Sequence, residues 1–156
     1  MIPKVTGPEI GDLKTCEDIL RSLPEWFGIE EAIVALSKES TELPTFYARA
    51  DEQPIGILTI KKHFPESAEI HLIAVRKIWH RKGIGKLLLK AAENWLSESK
   101  VKILQVKTLG ESRESKEYER TRFFYEKMGF TKIEELYDFW PQGNPCLIMV
   151  KNLDKA

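Results

Sequence analysis

The residues best suited to chemistry lie between Arg76 and Lys86, which read RKIWHRKGIGK. An apolar stretch, EIHLIAV from Glu69 to Val75, precedes them. A run with helical spacing follows, with Ile84, Leu87, Leu88, Ala91 and Trp95 on one side and Lys86, Lys90, Glu93 and Asn94 on the other. Strand, basic turn and helix together make an anion site. The first N–H groups of a helix have no intrahelical partner, and the helix dipole adds partial positive charge at the same end. Gly83 and Gly85 let the backbone approach a ligand and adopt conformations that a Cβ forbids. His80, Arg81, Lys82 and Lys86 add side-chain positive potential. A pyrophosphate suits such a place; the alternative is an ordinary strand-to-helix turn. The segment is neither the dinucleotide fingerprint GxGxxG nor a phosphate loop, because no Ser or Thr follows Lys86.

The elements that must position this turn are legible as periodicities. Asp12 is a fitting N-cap for a helix carrying Leu13, Cys16, Ile19, Leu20 and Leu23, which Pro24 stops. Any strand before it, around Val5, is expected to be short because of Pro3, Gly7 and Pro8. A second helix is expected over residues 30–39. Between the two, Trp26 and Phe27 sit in the Pro/Gly-bounded loop LPEWFG, as hydrophobic cover over the core or as the wall of a pocket. Strands over residues 45–50 and 55–62 flank a turn at residues 51–54, and the strand carrying Glu69 completes an antiparallel meander. The helix of residues 83–99 then crosses to a strand over residues 102–108, which implies parallel pairing of the strands it joins. Residues 110–120, GESRESKEYER, read as a solvated charge run, the alternative being a mobile flap over the site. A helix over residues 119–128 ends at Gly129 in a left-handed cap, with Phe130 folded back on Phe124 or Tyr125. Strands over residues 132–137 and 146–151 close the chain. The fold class is α/β in the mixed, α+β sense: a mostly antiparallel central sheet with one parallel pair, flanked by helices.

Composition narrows the partners. At 156 residues the chain is expected to form one domain over positions 1–156. Its 24 basic and 24 acidic residues cancel, against a broad nucleic-acid surface. No apolar run reaches membrane length and the N-terminus has no apolar signal core, so a cytoplasmic protein is expected. Cys16 and Cys146 are far apart, with no metal-ligand spacing, and read as buried free thiols. No metal is expected.

Two segments and the order of elements resemble the GNAT superfamily of acetyl-CoA-dependent N-acetyltransferases. His80-Arg81-Lys82-Gly83-Ile84-Gly85 is similar to its signature [Q/R]xxGx[G/A], and FYEKMGF, from Phe124 to Phe130, to its FYxKxGF segment. The resemblance implies a GNAT-like fold with about four helices, whose parallel strands splay apart to receive the pantetheine arm of acetyl-CoA. It gives the backbone of Ile73, Ala74 and Val75 to that arm and Arg81, Lys82, Gly83, Ile84, Gly85 and Lys86 to the pyrophosphate. It makes Tyr125 the general acid for the departing thiolate, the alternative being a core aromatic beside Phe124. Glu69 becomes the general base, directly or through water, with His71 a rival or relay partner on the same strand face. An exposed or ion-paired strand residue is the plain alternative for both, and many family members use ordered water. Trp26, Phe27 and His71 are the acceptor-binding candidates. The aromatic loop Trp26-Phe27 and the charged segment 110–120 suggest an enclosed site and hence a small primary amine as acceptor, whose ammonium Glu25, Glu30 and Glu31 could attract. The alternatives are a lysine or N-terminal amine of a protein, and a non-catalytic CoA-binding regulator. A homodimer is common in the family, with no interface legible here. The chain departs from the pattern at His80, which stands for Gln or Arg, and at Tyr118, where the family often has Asn.

Overall fold

The computed structural model describes residues 2–141 and 143–153, which form two compact units. The first holds the described residues up to Lys61 together with Ile70–Ser99; the second holds Lys62–Glu69 and the described residues from Lys100 onward. Strands β1 (Lys4–Ile10) and β2 (Pro44–Ala50), helices α1 (Leu13–Arg21) and α2 (Glu30–Ser40), and helix α3 (Ile84–Glu98) belong to the first. So do most of β3 (Gln53–Phe64) and β4 (Ser67–Val75). The second contains the remaining ends of β3 and β4, then β5 (Ile103–Leu109), α4 (Lys116–Lys127), β6 (Thr131–Leu136) and β7 (Cys146–Asn152). Strand order is β1-β2-β3-β4 in the first unit and β4-β5-β7-β6 in the second. β1/β2, β2/β3, β5/β7 and β6/β7 are antiparallel. β4 leads to β5 through α3 rather than through a hairpin, and these two are the parallel pair. The mixed class expected from the sequence is the class observed.

In the first unit, α1 begins where its cap dictates. An Asp12 carboxylate oxygen accepts from the Thr15 N–H at 2.9 Å and from its hydroxyl at 2.7 Å. The Asp12 N–H is itself held by the Tyr47 hydroxyl at 2.7 Å. Cys16, Ile19 and Leu20 then face inward, joining Leu23, Ile33, Tyr47, Ile57, Leu72 and Ala74 in one core. β1 is longer than its prolines suggested. Its register on β2 slips by one residue between Thr6 and Glu9, so a bulge absorbs Gly7 and Pro8 while pairing resumes beyond them. Gly7, at φ +124°, could carry no Cβ, which would lie 2.6 Å from the Thr45 carbonyl oxygen. The β2–β3 turn is shorter than expected. Asp51 and Glu52 both take positive φ, 49° and 67°, closing the hairpin in two residues so that Gln53 already pairs with Ala50.

α3 buries Ile84, Leu88, Leu89, Ala92 and Leu96. That face is turned by about one residue from the one read off the sequence, and Leu87 is 43% exposed. Three consecutive leucines leave the phase of a helical stripe undetermined, since each step is a rotation of about 100°. In the second unit α4 starts at Lys116, three residues before the expected position, because the Ser115 hydroxyl accepts from the Tyr118 N–H at 3.2 Å. Half of the charged segment is therefore helix. At its other end Gly129 has φ +97°, and the Phe130 and Gly129 N–H groups bond the Tyr125 and Glu126 carbonyls, each at 3.0 Å. This is a Schellman cap, and it packs the Phe130 ring 5.5 Å from that of Tyr125.

The Asp12 cap is testable. Asp12→Ala is expected to lower the unfolding free energy by about 1 kcal/mol in urea melts at pH 7. The Thr15 hydrogen bonds hold the Asp12 carboxyl below its ordinary value. Its contribution is thus present above the usual carboxylate range and lost as pH falls through the lower folded value. The gap between variant and wild type should narrow toward pH 2; a gap independent of pH would contradict an ionised cap.

Candidate active site

The first unit carries the turn. β4 ends with Ile73 and Val75 half-buried on one face and Ala74 buried on the other, the alternation that a strand imposes. Arg76 anchors the chain as it leaves the strand: its N–H donates to the Ile55 carbonyl at 2.8 Å and its Nε to the Pro54 carbonyl at 2.9 Å. One 3-10 turn, Lys77–Trp79, reverses direction. Arg81 and Gly83 then take left-handed conformations, φ 61° and 78°, and α3 begins. No side chain caps the N-terminus of α3 and its first turn holds no acid. Leu87 is the residue whose N–H reaches back to the Gly83 carbonyl, at 3.0 Å. The amides of Ile84, Gly85 and Lys86 thus lie in the first turn, where a helix supplies no backbone acceptor. A Cβ built on Gly83 would meet nothing within 4 Å, so open space lies where a ligand would approach. Arg81, Lys82 and Lys86 are exposed, Gly85 is half-buried and the Ile84 side chain is in the core. Lys82 lies over the Trp79 ring, 5.3 Å from its centroid. Uncapped amides, left-handed backbone and three solvent-facing cations fit a pyrophosphate.

His80, expected to add charge around the turn, also makes two contacts that the sequence did not reveal: its Nε2–H donates to the Val75 carbonyl at 2.6 Å and its ring meets Trp26 edge-on at 5.3 Å. It braces the turn against the strand end and the α1–α2 loop. Trp26 and Phe27 are half-buried and pack against the core formed by α1, Ile33, Tyr47 and Leu72, so covering the core is one thing they do. Lys77 pairs with Glu25 of the same loop, and Arg21 holds Glu30 at 2.6 Å. Two of the three carboxylates suggested for attracting an ammonium group are therefore already matched with cations of the chain. His71 lies with its Nε2 3.7 Å from Glu39 of α2.

The second unit carries the two residues assigned to proton transfer. Tyr125 is buried on α4, with ring neighbours Phe124 and Phe130 both at 5.5 Å. Burial pushes its phenol well above the ordinary value, and the negative form of Tyr118 would push it further. The side chain thus stays a protonated donor throughout neutral pH. Arg122, buried on the same helix, donates from Nη1 to the Leu109 carbonyl at 2.6 Å and ties α4 to β5. Glu69 is buried and sits among donors. Lys107 Nζ lies 3.1 and 3.0 Å from its two oxygens, and His63 Nε2 lies 2.7 Å from Oε1. Lys107 also lies 5.4 Å from the centre of the Phe139 ring. Cys146 is buried close by; desolvation pushes its thiol up, the Lys107 cation opposes this and Glu69 adds to it.

Lys107 and His63 were missed by the sequence reading. Gln105 and Lys107 lie two apart in the strand ILQVKTL, so they share a face. A lysine inside an otherwise apolar strand needs a carboxylate nearby, which was the available signal. His63 gave none, because His63 and Glu69 meet only once β3 has run as far as Phe64 before turning.

The family model described as "Acetyltransferase (GNAT) domain" matches residues 42–132. An uncharacterized N-acetyltransferase of Chlorobaculum tepidum is 34% identical over 97 residues, 62% of this chain and 54% of that protein; the match thus spans about half of the curated relative's length. Among solved structures, the ribosomal-protein-S18-alanine N-acetyltransferase of Escherichia coli superposes with a TM-score of 0.77 at 17% identity, covering 99% of this chain and 96% of that one. The aminoglycoside 6'-N-acetyltransferase of Enterococcus faecium does so with 0.77 at 16% identity, covering 100% and 99%. The chain belongs to the GNAT acetyltransferase family, and it has the fold of these two enzymes.

The carboxylate cluster makes a prediction. The Glu69 and Lys107 side chains are only 11% and 21% exposed. Removing one partner by Lys107→Met should therefore cost about 1–2 kcal/mol of stability, less than for a fully buried pair. In a double-mutant cycle with Glu69→Gln the losses should fall short of additive by about 1 kcal/mol. Strict additivity in urea midpoints would contradict the pairing.

Proposed function

We infer that the protein transfers an acetyl group from acetyl-CoA to the primary amine of a small molecule in the cytoplasm. The observation that carries this reading is the start of α3, uncapped, free of acidic residues and entered through left-handed Arg81 and Gly83, in a chain of the acetyltransferase family. Arg81, Lys82, Gly83, Ile84, Gly85 and Lys86 would hold the diphosphate, and the backbone of Ile73, Ala74 and Val75 the pantetheine amides. When bound, the thioester supplies an activated carbonyl carbon and a thiolate leaving group. Tyr125 gives the proton that this thiolate takes up. A phenol raised by burial keeps its proton at every pH where the enzyme would work. Glu69 takes the proton that the ammonium acceptor must lose, directly or through water. Acyl transfer through a cysteine has no support: Cys16 and Cys146 are both buried, and the Cys146 thiol is pushed up, away from its nucleophilic form.

A small acceptor is favoured over a peptide by the α1–α2 loop. Trp26 and Phe27 are packed against the core, Trp26 meets His80 edge-on and Glu25 pairs with Lys77, which favours a closed wall over an open groove. Nucleic acid is not expected as a partner, with 24 charges of each sign. Among the described residues no helix is long and apolar enough to cross a membrane; the reading assigns no membrane role.

The test is release of free thiol from acetyl-CoA with amino acids, polyamines, aminoglycosides and lysine peptides. At least one small amine should accelerate release, and Tyr125→Phe should lower kcat by about 10²-fold with the affinity for CoA within twofold. Thiol release restricted to peptides would overturn the small acceptor; unchanged kcat would remove Tyr125 from the chemistry; binding of acetyl-CoA without release to any amine would favour a regulator.

A further inference from the structure

We propose that His63 is a positioning residue whose charge sets when Glu69 can accept a proton; this rests on the reading of Glu69 as the base. The Glu69 carboxylate has two cation-forming neighbours of different kinds. Lys107, from β5, reaches both of its oxygens, and a lysine ammonium keeps its charge through neutral pH. His63, from the end of β3, holds Oε1 at 2.7 Å, and imidazole is the side chain whose charge ordinarily changes between about pH 5 and 8. A carboxylate only accepts, so His63 donates through Nε2–H. That bond persists in the neutral ring and in the imidazolium, and only the charge differs. The His63 side chain is 32% exposed while that of Glu69 is 11% exposed, so solvent reaches the imidazole more readily than the carboxylate it touches.

The consequence has a definite sign. Protonated His63 places a second cation against Glu69 and weakens its hold on an abstracted proton. Neutral His63 leaves Lys107 alone and strengthens it. The other groups around the pair are few. Lys62 and Glu66 flank His63 on its own hairpin. From β5 Gln105 approaches Glu69 Oε1 at 3.5 Å, and from β7 Cys146 faces the pair as a thiol that burial keeps neutral. None of these is an imidazole; His71, two residues along the strand from Glu69, lies against a different carboxylate, its Nε2 3.7 Å from Glu39. A purely structural His63 would contribute stability and leave the shape of the pH–rate curve untouched.

The experiment is kcat/KM against pH from 5 to 9, at saturating acetyl-CoA with the best amine from the thiol-release panel, for wild type, His63→Gln, His63→Lys and Glu69→Gln. Deprotonation of the amine itself shapes the acid limb equally in all four. His63→Gln keeps a donor without a titrating charge, and should exceed wild type about threefold or more below pH 6. His63→Lys fixes the charge and should fall about threefold or more below wild type at pH 8. Both should lose one ionisation from the acid limb. If both variants, folded by urea melt, keep the wild-type profile while Glu69→Gln is slow, the inference about His63 fails and the base assignment stands. If Glu69→Gln keeps the wild-type rate, the base assignment fails and this inference goes with it.

Discussion

The start of α3 constrains everything around it. A chain that leaves β4 and enters a helix within ten residues must turn sharply, and here it does so through one 3-10 turn and two residues at positive φ. Arg81 pays the conformational cost of a left-handed non-glycine residue; Gly83 carries almost none. The strain is held by contacts on both sides: Arg76 clamped to the Ile55 and Pro54 carbonyls, His80 bonded to the Val75 carbonyl, and Ile84 and Leu88 sunk in the core beside Gly56. Their combined effect is to deliver a helix N-terminus to solvent with its amides uncapped, no acid in its first turn and Arg81, Lys82 and Lys86 exposed around it. α1 and α4 carry capping side chains, Asp12 and Ser115; α2 lacks one but has Glu30 and Glu31 in its first turn, whereas the first turn of α3 has neither cap nor acid.

The two residues proposed to handle protons are held in a different way. Tyr125 is held by a C-terminal helix cap whose geometry fixes the ring against Phe130, so its direction is set by backbone conformation at Gly129 rather than by a polar partner. Glu69 is held by charge. A carboxylate this buried requires donors, and Lys107 with His63 supplies them. A carboxylate so matched still has accepting capacity, since its two oxygens offer about four lone-pair sites. The salt bridge to Lys107 therefore leaves room for the base role proposed for Glu69.

Features that depend on neighbours in sequence were legible beforehand. Asp12 with its capped turn, the α2 span, the glycine-bearing turn and the Gly129–Phe130 cap each follow from a few consecutive residues, and each stands where the sequence placed it. Features that depend on phase or on distant partners were not. The leucine triplet at residues 87–89 concealed which side of α3 is buried. A bulge carried β1 past Gly7 and Pro8, where local propensity argued for a break. The role of His80 could not be read from its neighbours, because its two partners are a strand carbonyl and the ring of Trp26. The cluster of His63, Glu69 and Lys107 draws on three strands, and no periodicity along one segment reports a meeting of three.

The claim on which the account stands is that the first turn of α3 binds the diphosphate of CoA. Titrating isotopically labelled protein with CoA and following the backbone amide resonances tests it without any acceptor or turnover. The largest shifts are expected at Gly83, Ile84, Gly85 and Lys86, with a second set at Ile73–Val75. Saturable CoA binding that leaves the Gly83–Lys86 amides unmoved, or no binding at millimolar CoA, would contradict it.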